Sequence, residues 1–117
     1  MQLIKSKAIN YNDKDKVFFS KKELQIILQL YSKQVSCGTC RDYSIDNIKK
    51  KAVFSFFRST FDKPLFQIEK KKDAKNILSF QFNLTYKQKI IETNVSITKI
   101  LRRLDKRFEF FNKNKKG

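Results

Sequence analysis

Apolar residues recur at two different periods along this chain, and the change of period divides it into helix, sheet and helix. Val17, Phe18 and Phe19 lead into Ser20, Lys21, Lys22 and Glu23. Ser20 with Glu23 three residues on is a capping box, and Phe19 stands at the hydrophobic-staple position before it. Leu24, Ile27, Leu28, Tyr31 and Val35 then repeat at helical spacing, leaving Lys22, Gln25, Gln29 and Lys33 for the outer face. Gly38 supplies the stop. Residues 37–46 read as a structured connection holding a short helical turn, capped by Asp42 or Ser44 and carrying Ile45 and Ile48. Lys49, Lys50 and Lys51 mark a solvated junction.

From Ala52 the period drops to two. Phe54 and Phe56 alternate with Val53, Ser55 and Phe57, which predicts a strand buried on both faces. Asp62-Lys63-Pro64 is a turn signal. Residues 65–70 set Phe66 and Ile68 against Gln67 and Glu69, a half-buried strand. Residues 71–76 are a polar connection. Residues 77–84 set Leu78, Phe80, Phe82 and Leu84 against Ser79, Gln81 and Asn83. Tyr86-Lys87-Gln88 turns the chain into a fourth strand over residues 89–93. Asn94 or Ser96 caps a second helix whose inward stripe is Ile97, Ile100, Leu101, Leu104 and Phe108. Phe110 and Phe111 dock on the core, or residues 108–111 close as a short strand. The expected fold is α+β: a helix, a four-stranded antiparallel sheet and a helix, with the helices on one face, in a single domain. Residues 1–16 are expected as a flexible arm, 17–111 as the domain and 112–117 as a basic tail.

Charge changes this picture from a plain small fold to a candidate binding module. The 117 residues carry 27 Lys+Arg against 11 Asp+Glu, a net +16, and no histidine. Such a field attracts polyanions before any specific contact forms. The missing histidine removes the commonest general acid/base and metal ligand. Most of the cations are lysine, and only Arg41, Arg58, Arg102, Arg103 and Arg107 are arginine. Lysine acts as a point charge where arginine reads phosphate or guanine bidentately, so salt-sensitive attraction is favoured over sequence reading. Lys, Asn, Ile and Phe are also the residues of A/T-rich codons, so part of the basicity reads as background. A 40% apolar content with twelve phenylalanines is enough for a modest core. No stretch approaches the ~20 apolar residues of a membrane-spanning helix. Residues 1–16 lack the apolar core of a secretory signal. A cytoplasmic location is expected, with both cysteines reduced. Basic patches also attract anionic lipid.

Several blocks carry a resemblance. They are Ser20-Lys21-Lys22-Glu23-Leu24 with Ile27, Leu28 and Tyr31, then Arg41-Asp42-Tyr43-Ser44-Ile45-Asp46, then Ala52-Val53-Phe54-Ser55-Phe56-Phe57-Arg58, and Pro64-Leu65-Phe66-Gln67-Ile68-Glu69-Lys70. Together they resemble a family of small alphaproteobacterial proteins catalogued only as a domain of unknown function. Ile100 to Arg107 is similar too. The resemblance implies a bacterial cytoplasmic protein and brings no activity with it. One position departs: the family carries an aromatic residue where this chain has Cys40.

Candidate chemistry is sparse. Cys37-Gly38-Thr39-Cys40 has redox or half-zinc spacing. It follows a helix where a redox pair would precede one, and no further Cys or His completes a zinc site, so the two read as incidental small residues. Arg41, Asp42, Tyr43 and Asp46 are the densest polar cluster. They suit acid/base work or a hard cation, and more readily a buried ion-pair network fixing the helix-to-sheet connection. Two glycines exclude a glycine-rich phosphate loop. Arg102, Arg103, Lys106 and Arg107 concentrate charge in two turns of the last helix, and Lys49–Lys51, Lys70–Lys72 and Lys113–Lys116 extend it if they share a side. The outward sheet face, with Ser55, Phe57, Gln67, Ser79 and Gln81, suits base stacking or a protein partner anchored by Phe57 and Val53.

The expectation is therefore a non-enzymatic nucleic-acid-associated module of weak sequence selectivity. DNA or RNA phosphates would meet Arg102, Arg103, Lys106 and Arg107, with Arg58, Lys87 and Lys89 on the sheet side. No cofactor or metal is expected. The alternative is a protein-interaction or homodimerising module using the outward sheet face, and the third an enzyme built on the Arg41–Asp46 cluster.

Overall fold

The computed structural model describes residues 16–59, 62–76 and 78–116. Helix α1 spans Lys21–Ser36, and helix α2 spans Ile97–Lys116. Between them lie five strands: β1 Asp42–Ile48, β2 Lys51–Phe57, β3 Phe66–Lys72, β4 Phe80–Tyr86 and β5 Lys89–Asn94. All neighbours pair antiparallel in the order β1-β2-β3-β4-β5. The chain is thus an α+β fold with one strand more than its pattern predicts. The expected arm over residues 1–16 lies outside the described residues except for Lys16.

The extra strand is β1. Its segment was expected as a connection with a helical turn, because Asp42 and Ser44 are capping residues. Tyr43, Ile45 and Asn47 instead alternate with Asp42, Ser44 and Asp46 and pair with β2, from Asp42 opposite Phe57 to Ile48 opposite Lys51. As an edge strand β1 buries little, so its alternation is faint in sequence. Lys49 and Lys50 form the two-residue turn to β2 with φ of 47° and 66°. Both values are left-handed, as hairpin turns of this length require.

α1 forms as its capping box dictates. The Glu23 N–H donates to Ser20 Oγ at 3.0 Å, and the Ser20 N–H donates to Glu23 Oε1 at 2.7 Å. Ile27 is buried, with Leu24, Leu28, Leu30 and Tyr31 packed around it. Val35 departs from the expected stripe: it is 45% exposed, and Gln34 is buried in its place. The Gln34 carbonyl accepts the N–H groups of Thr39 and Cys40, closing the end of the helix. Gly38 follows with φ of 79°, which a side chain would disfavour.

Ser96 caps the start of α2, its Oγ accepting the Lys99 N–H. Ile100, Leu104 and Phe108 are fully buried on its inner stripe. The helix passes through residues 108–111 without a closing strand and continues where a tail was expected. Asn112 explains this: it accepts a hydrogen bond from the Thr39 hydroxyl and donates to Gln34 Oε1, pinning its end to that of α1.

Both helices cover the same sheet face. Register places Phe54, Ile68 and Leu84 in one row across β2, β3 and β4, with Phe56 and Phe66 in the next. Aromatic contacts run from Tyr43 through Phe54, Phe56 and Phe108 to Phe66 and Tyr86, with centroids 4.9–5.6 Å apart. Leu78, expected on the inner face, is exposed ahead of β4, and Phe80 keeps the inner face at the end of the sheet, 37% exposed with its ring 4.3 Å from Lys70 Nζ.

Candidate functional site

Four strands meet at the end of the sheet where β2 finishes, β3 starts and β4 turns into β5. The Leu65 N–H donates to the Phe56 carbonyl, and the Lys87 N–H donates to the Leu65 carbonyl. Those bonds seat the turn before β3 beside the β4–β5 turn. An open cleft of about 420 Å3 lies there, lined by Arg58, Asp62, Lys63, Pro64, Leu65, Lys87 and Gln88.

Two of its three cations, Arg58 and Lys87, rest on aromatic rings, and Arg107 shares a ring with Lys87. The Arg58 guanidinium lies 5.0 Å from the centre of the Phe111 ring. The Tyr86 ring is approached by Arg107 at 5.3 Å and by Lys87 Nζ at 5.4 Å. Lys89 stands opposite Tyr86 in the β4–β5 register. A guanidinium resting on a ring keeps its N–H edge free for an oxyanion, because the π-face attracts charge without consuming donors. Among the described residues neither Arg58 nor Arg107 has a carboxylate within ion-pair distance. Arg103, one turn before Arg107, is 3.9 Å from Glu92 Oε1.

The structure therefore gathers Arg58, Lys87, Lys89 and Arg107 on one flank with Arg103 at its border. Arg102 lies elsewhere, in a groove between α1 and α2 beside Lys33 and Asp105. Those two pair at 3.0 Å, and this hydrogen bond, with the Asp105 charge, raises the Lys33 pKa. Lys106 is exposed on the outer face of α2. Arg102 and Arg107 are about 140° apart around the helix, so the four cations spread over a broad arc of α2 from the α1 groove to the Tyr86 ring. Lys63, Tyr86 and Phe111 complete the flank, and their sequence pattern marks them as turn and core residues, not as part of a site. Two aromatic residues and a pre-proline lysine carry no local mark of convergence.

The other basic segments divide too. Lys49, Lys50, Lys51, Lys71 and Lys72 line a second cleft of about 420 Å3 at the opposite end of the sheet. Lys70 leaves that group. It faces the helices, 5% exposed, and its Nζ is 2.8 Å from both Glu23 Oε1 and the Phe18 carbonyl. Alternation along β3 forces this inward turn.

The Arg41–Asp46 cluster is not a buried network. It lies along edge strand β1, where Asp42 accepts the Tyr43 N–H and Asp46 accepts the Ser44 hydroxyl. Asp42 and Asp46 share the open face of a strand and not a helix. Tyr43 faces the helices, its ring 4.8 Å from Tyr31. Burial foremost, then the charge of Asp42, raises the Tyr31 pKa. No ion pair links the cluster among the described residues.

The outward sheet face is a polar ladder. Gln67 Nε2 donates to Ser55 Oγ at 3.0 Å, and Thr93 Oγ1 donates to Asn83 Oδ1 at 2.8 Å. Asn83 Nδ2 in turn donates to Glu69 Oε1 at 3.3 Å. These side chains satisfy one another across four strands. Val53 is 4% exposed, and Ser79 lies outside the strands. Phe57 is the one aromatic residue of the described strands on this face, which leaves a stacking or docking surface without its second anchor. Cys37 is exposed, and Cys40 is buried. Burial pushes the Cys40 thiol up to about 12, against a smaller lowering by Arg58. A thiol so protonated is a poor nucleophile and metal ligand. No cluster of three metal-ligating side chains occurs among the described residues.

A model of one protein family matches residues 17–101, described as "Protein of unknown function (DUF2794)". The chain belongs to that family, a class defined by its sequence and carrying no assigned activity. The match ends at Leu101, so Arg102, Arg103, Lys106 and Arg107 fall beyond it, while Arg58, Lys87 and Lys89 fall within. No curated protein and no solved structure matches the chain. No helix among the described residues is long and apolar enough to cross a membrane.

Proposed function

We propose that this protein is a non-enzymatic cytoplasmic module that binds nucleic acid through its phosphates, at the flank of Arg58, Lys63, Lys87, Lys89 and Arg107. The observation that carries this reading is the pair Arg58 and Arg107, each resting on an aromatic ring and free of a carboxylate partner among the described residues. Held guanidinium groups lose less freedom when they form paired hydrogen bonds to phosphate. Asp62 is the one acidic residue of the cleft. The contacts fall on phosphate rather than on base edges, which makes sequence selectivity weak. The carboxylates of β1, strung along an edge strand without converging partners, favour binding over catalysis.

The test is binding of fluorescent single- and double-stranded DNA and RNA across a salt series. Four phosphate contacts on a single strand give a slope of about −3 in log K against log salt. Arg58→Ala with Arg107→Ala lowers affinity and flattens the slope by between one and two. Arg102→Ala with Lys106→Ala, neither of which lines the cleft, leaves both nearly unchanged. Equal losses from the two double variants would mean that bulk charge drives binding and would end this assignment.

A further inference from the structure

We infer that the end of the sheet opposite the arginine flank is a docking tip for an anionic lipid surface. The two ends are separated by strands of seven residues, about 20 Å. The far end carries the cleft of Lys49, Lys50, Lys51, Lys71 and Lys72. Lys51 is 3.6 Å from Glu69, and the other four have no ion pair among the described residues. The loop there holds one acidic residue, Asp73, which accepts the Lys75 N–H at 2.9 Å, against the five lysines of the cleft.

Antiparallel pairing brings apolar side chains to the same end. Ile48 ends β1, Leu78 and Phe80 precede and begin β4, and Val95 follows β5. All four are exposed, and Leu78, at 89%, is the most exposed large apolar residue of the described structure. A free phosphate chain gains nothing from such side chains. A bilayer interface accepts them between its headgroups while lysines meet the lipid phosphates. Lysine suits this role better than arginine, since a diffuse charged surface needs point charges and not fixed forks.

The backbone of the β1–β2 turn offers a way to remove charge without unfolding. Lys49 and Lys50 occupy left-handed positions that Asn and Gly fill without strain. The β4–β5 turn at the other end has the same geometry at Lys87 and Gln88, so the left-handed backbone does not mark this tip and serves only to choose the variant. This inference is separate from the nucleic-acid reading, because it uses other residues at the other end of the sheet.

Flotation of the full chain with vesicles tests it. Vesicles of phosphatidylcholine alone are compared with vesicles holding about one-third phosphatidylglycerol. Binding is expected only to the anionic vesicles, and each lysine removed should weaken it about fivefold. Lys49→Asn with Lys50→Gly removes two charges and supplies the residues the turn prefers, so folding is kept; partitioning should fall roughly 25-fold. Leu78→Ser should weaken partitioning several-fold while leaving oligonucleotide binding unchanged. Wild-type partitioning by both variants would overturn the inference. So would a Lys49→Asn/Lys50→Gly protein that loses oligonucleotide binding as steeply as vesicle binding while Leu78→Ser loses neither, because the tip would then be a free-polyanion site.

Discussion

Replacing Glu23 by Gln isolates one charge at the most consequential polar contact of the fold. Glu23 accepts the Ser20 N–H at the head of α1 and pairs with Lys70 Nζ at 2.8 Å. Gln retains the capping-box acceptor, so the cap survives and only the countercharge is lost. The two side chains are 6% and 20% exposed. At an effective dielectric of about 20, attraction over that distance is about 6 kcal/mol. Much of it offsets the cost of taking both ions from water. The Phe18 carbonyl and the Phe80 ring, 4.3 Å from Nζ, still stabilise the ammonium. A net loss of about 3 kcal/mol is therefore expected. That corresponds to roughly 12 °C in Tm for a domain of this size. Lys70→Met should cost less, about 1–2 kcal/mol, because Met fills the site and Glu23 keeps access to water. The double variant should resemble Lys70→Met alone, giving a coupling of about 2–3 kcal/mol in a double-mutant cycle. Urea unfolding of the four proteins measures this directly. A Glu23→Gln loss below about 0.5 kcal/mol with additive behaviour would refute the reasoning.

Other consequences are open to simpler assays. Cys37 should react with iodoacetamide in the folded protein and Cys40 only after denaturation, so thiol labelling should rise from one equivalent to two. The Cys40 pKa is raised on folding from 9.0 to about 12. Its contribution to stability is therefore complete below pH 9 and lost as pH climbs towards 12. Cys40→Ala should flatten that part of the stability profile, and an unchanged alkaline limb would contradict the assignment. Asn112→Ala should fray the end of α2 at a cost of about 1–2 kcal/mol, read as faster amide exchange beyond Phe108. Gln88, with φ of 72° in the β4–β5 turn, should gain about 1 kcal/mol when replaced by Gly, seen as a higher urea midpoint.

How much was legible in the sequence depends on the range of the interaction concerned. The start of α1 was legible because a capping box is complete within four residues. β2, β3 and the inner stripe of α2 were legible because burial of one or both faces imposes a period on neighbouring positions. β1 was not, since an edge strand half-exposed on both sides has little apolar signal, and its polar residues imitate helix caps. The length of α2 was hidden for a related reason: Asn112 is held by Gln34 and Thr39, more than seventy residues earlier.

For the candidate site the division follows the same physics. Net charge, the absence of histidine and the poverty of glycine are properties of composition, and they bound the chemistry without any coordinates. Which cations act together is a matter of strand direction and helix rotation. Alternation along β3 sends Lys70 into the core and Lys71 outward. A turn of helix sends Arg107 to Tyr86 and Arg102 to the groove beside α1. Antiparallel pairing then collects Lys49–Lys51 with Lys71 and Lys72 at one end, and Arg58 with Lys87 at the other. The sequence by itself determined that this protein is a small, strongly basic α+β domain. The tertiary structure alone decided that two groups of its cations converge at opposite ends of the sheet, because charges reinforce one another only where the chain brings them within a Debye length, ~8 Å.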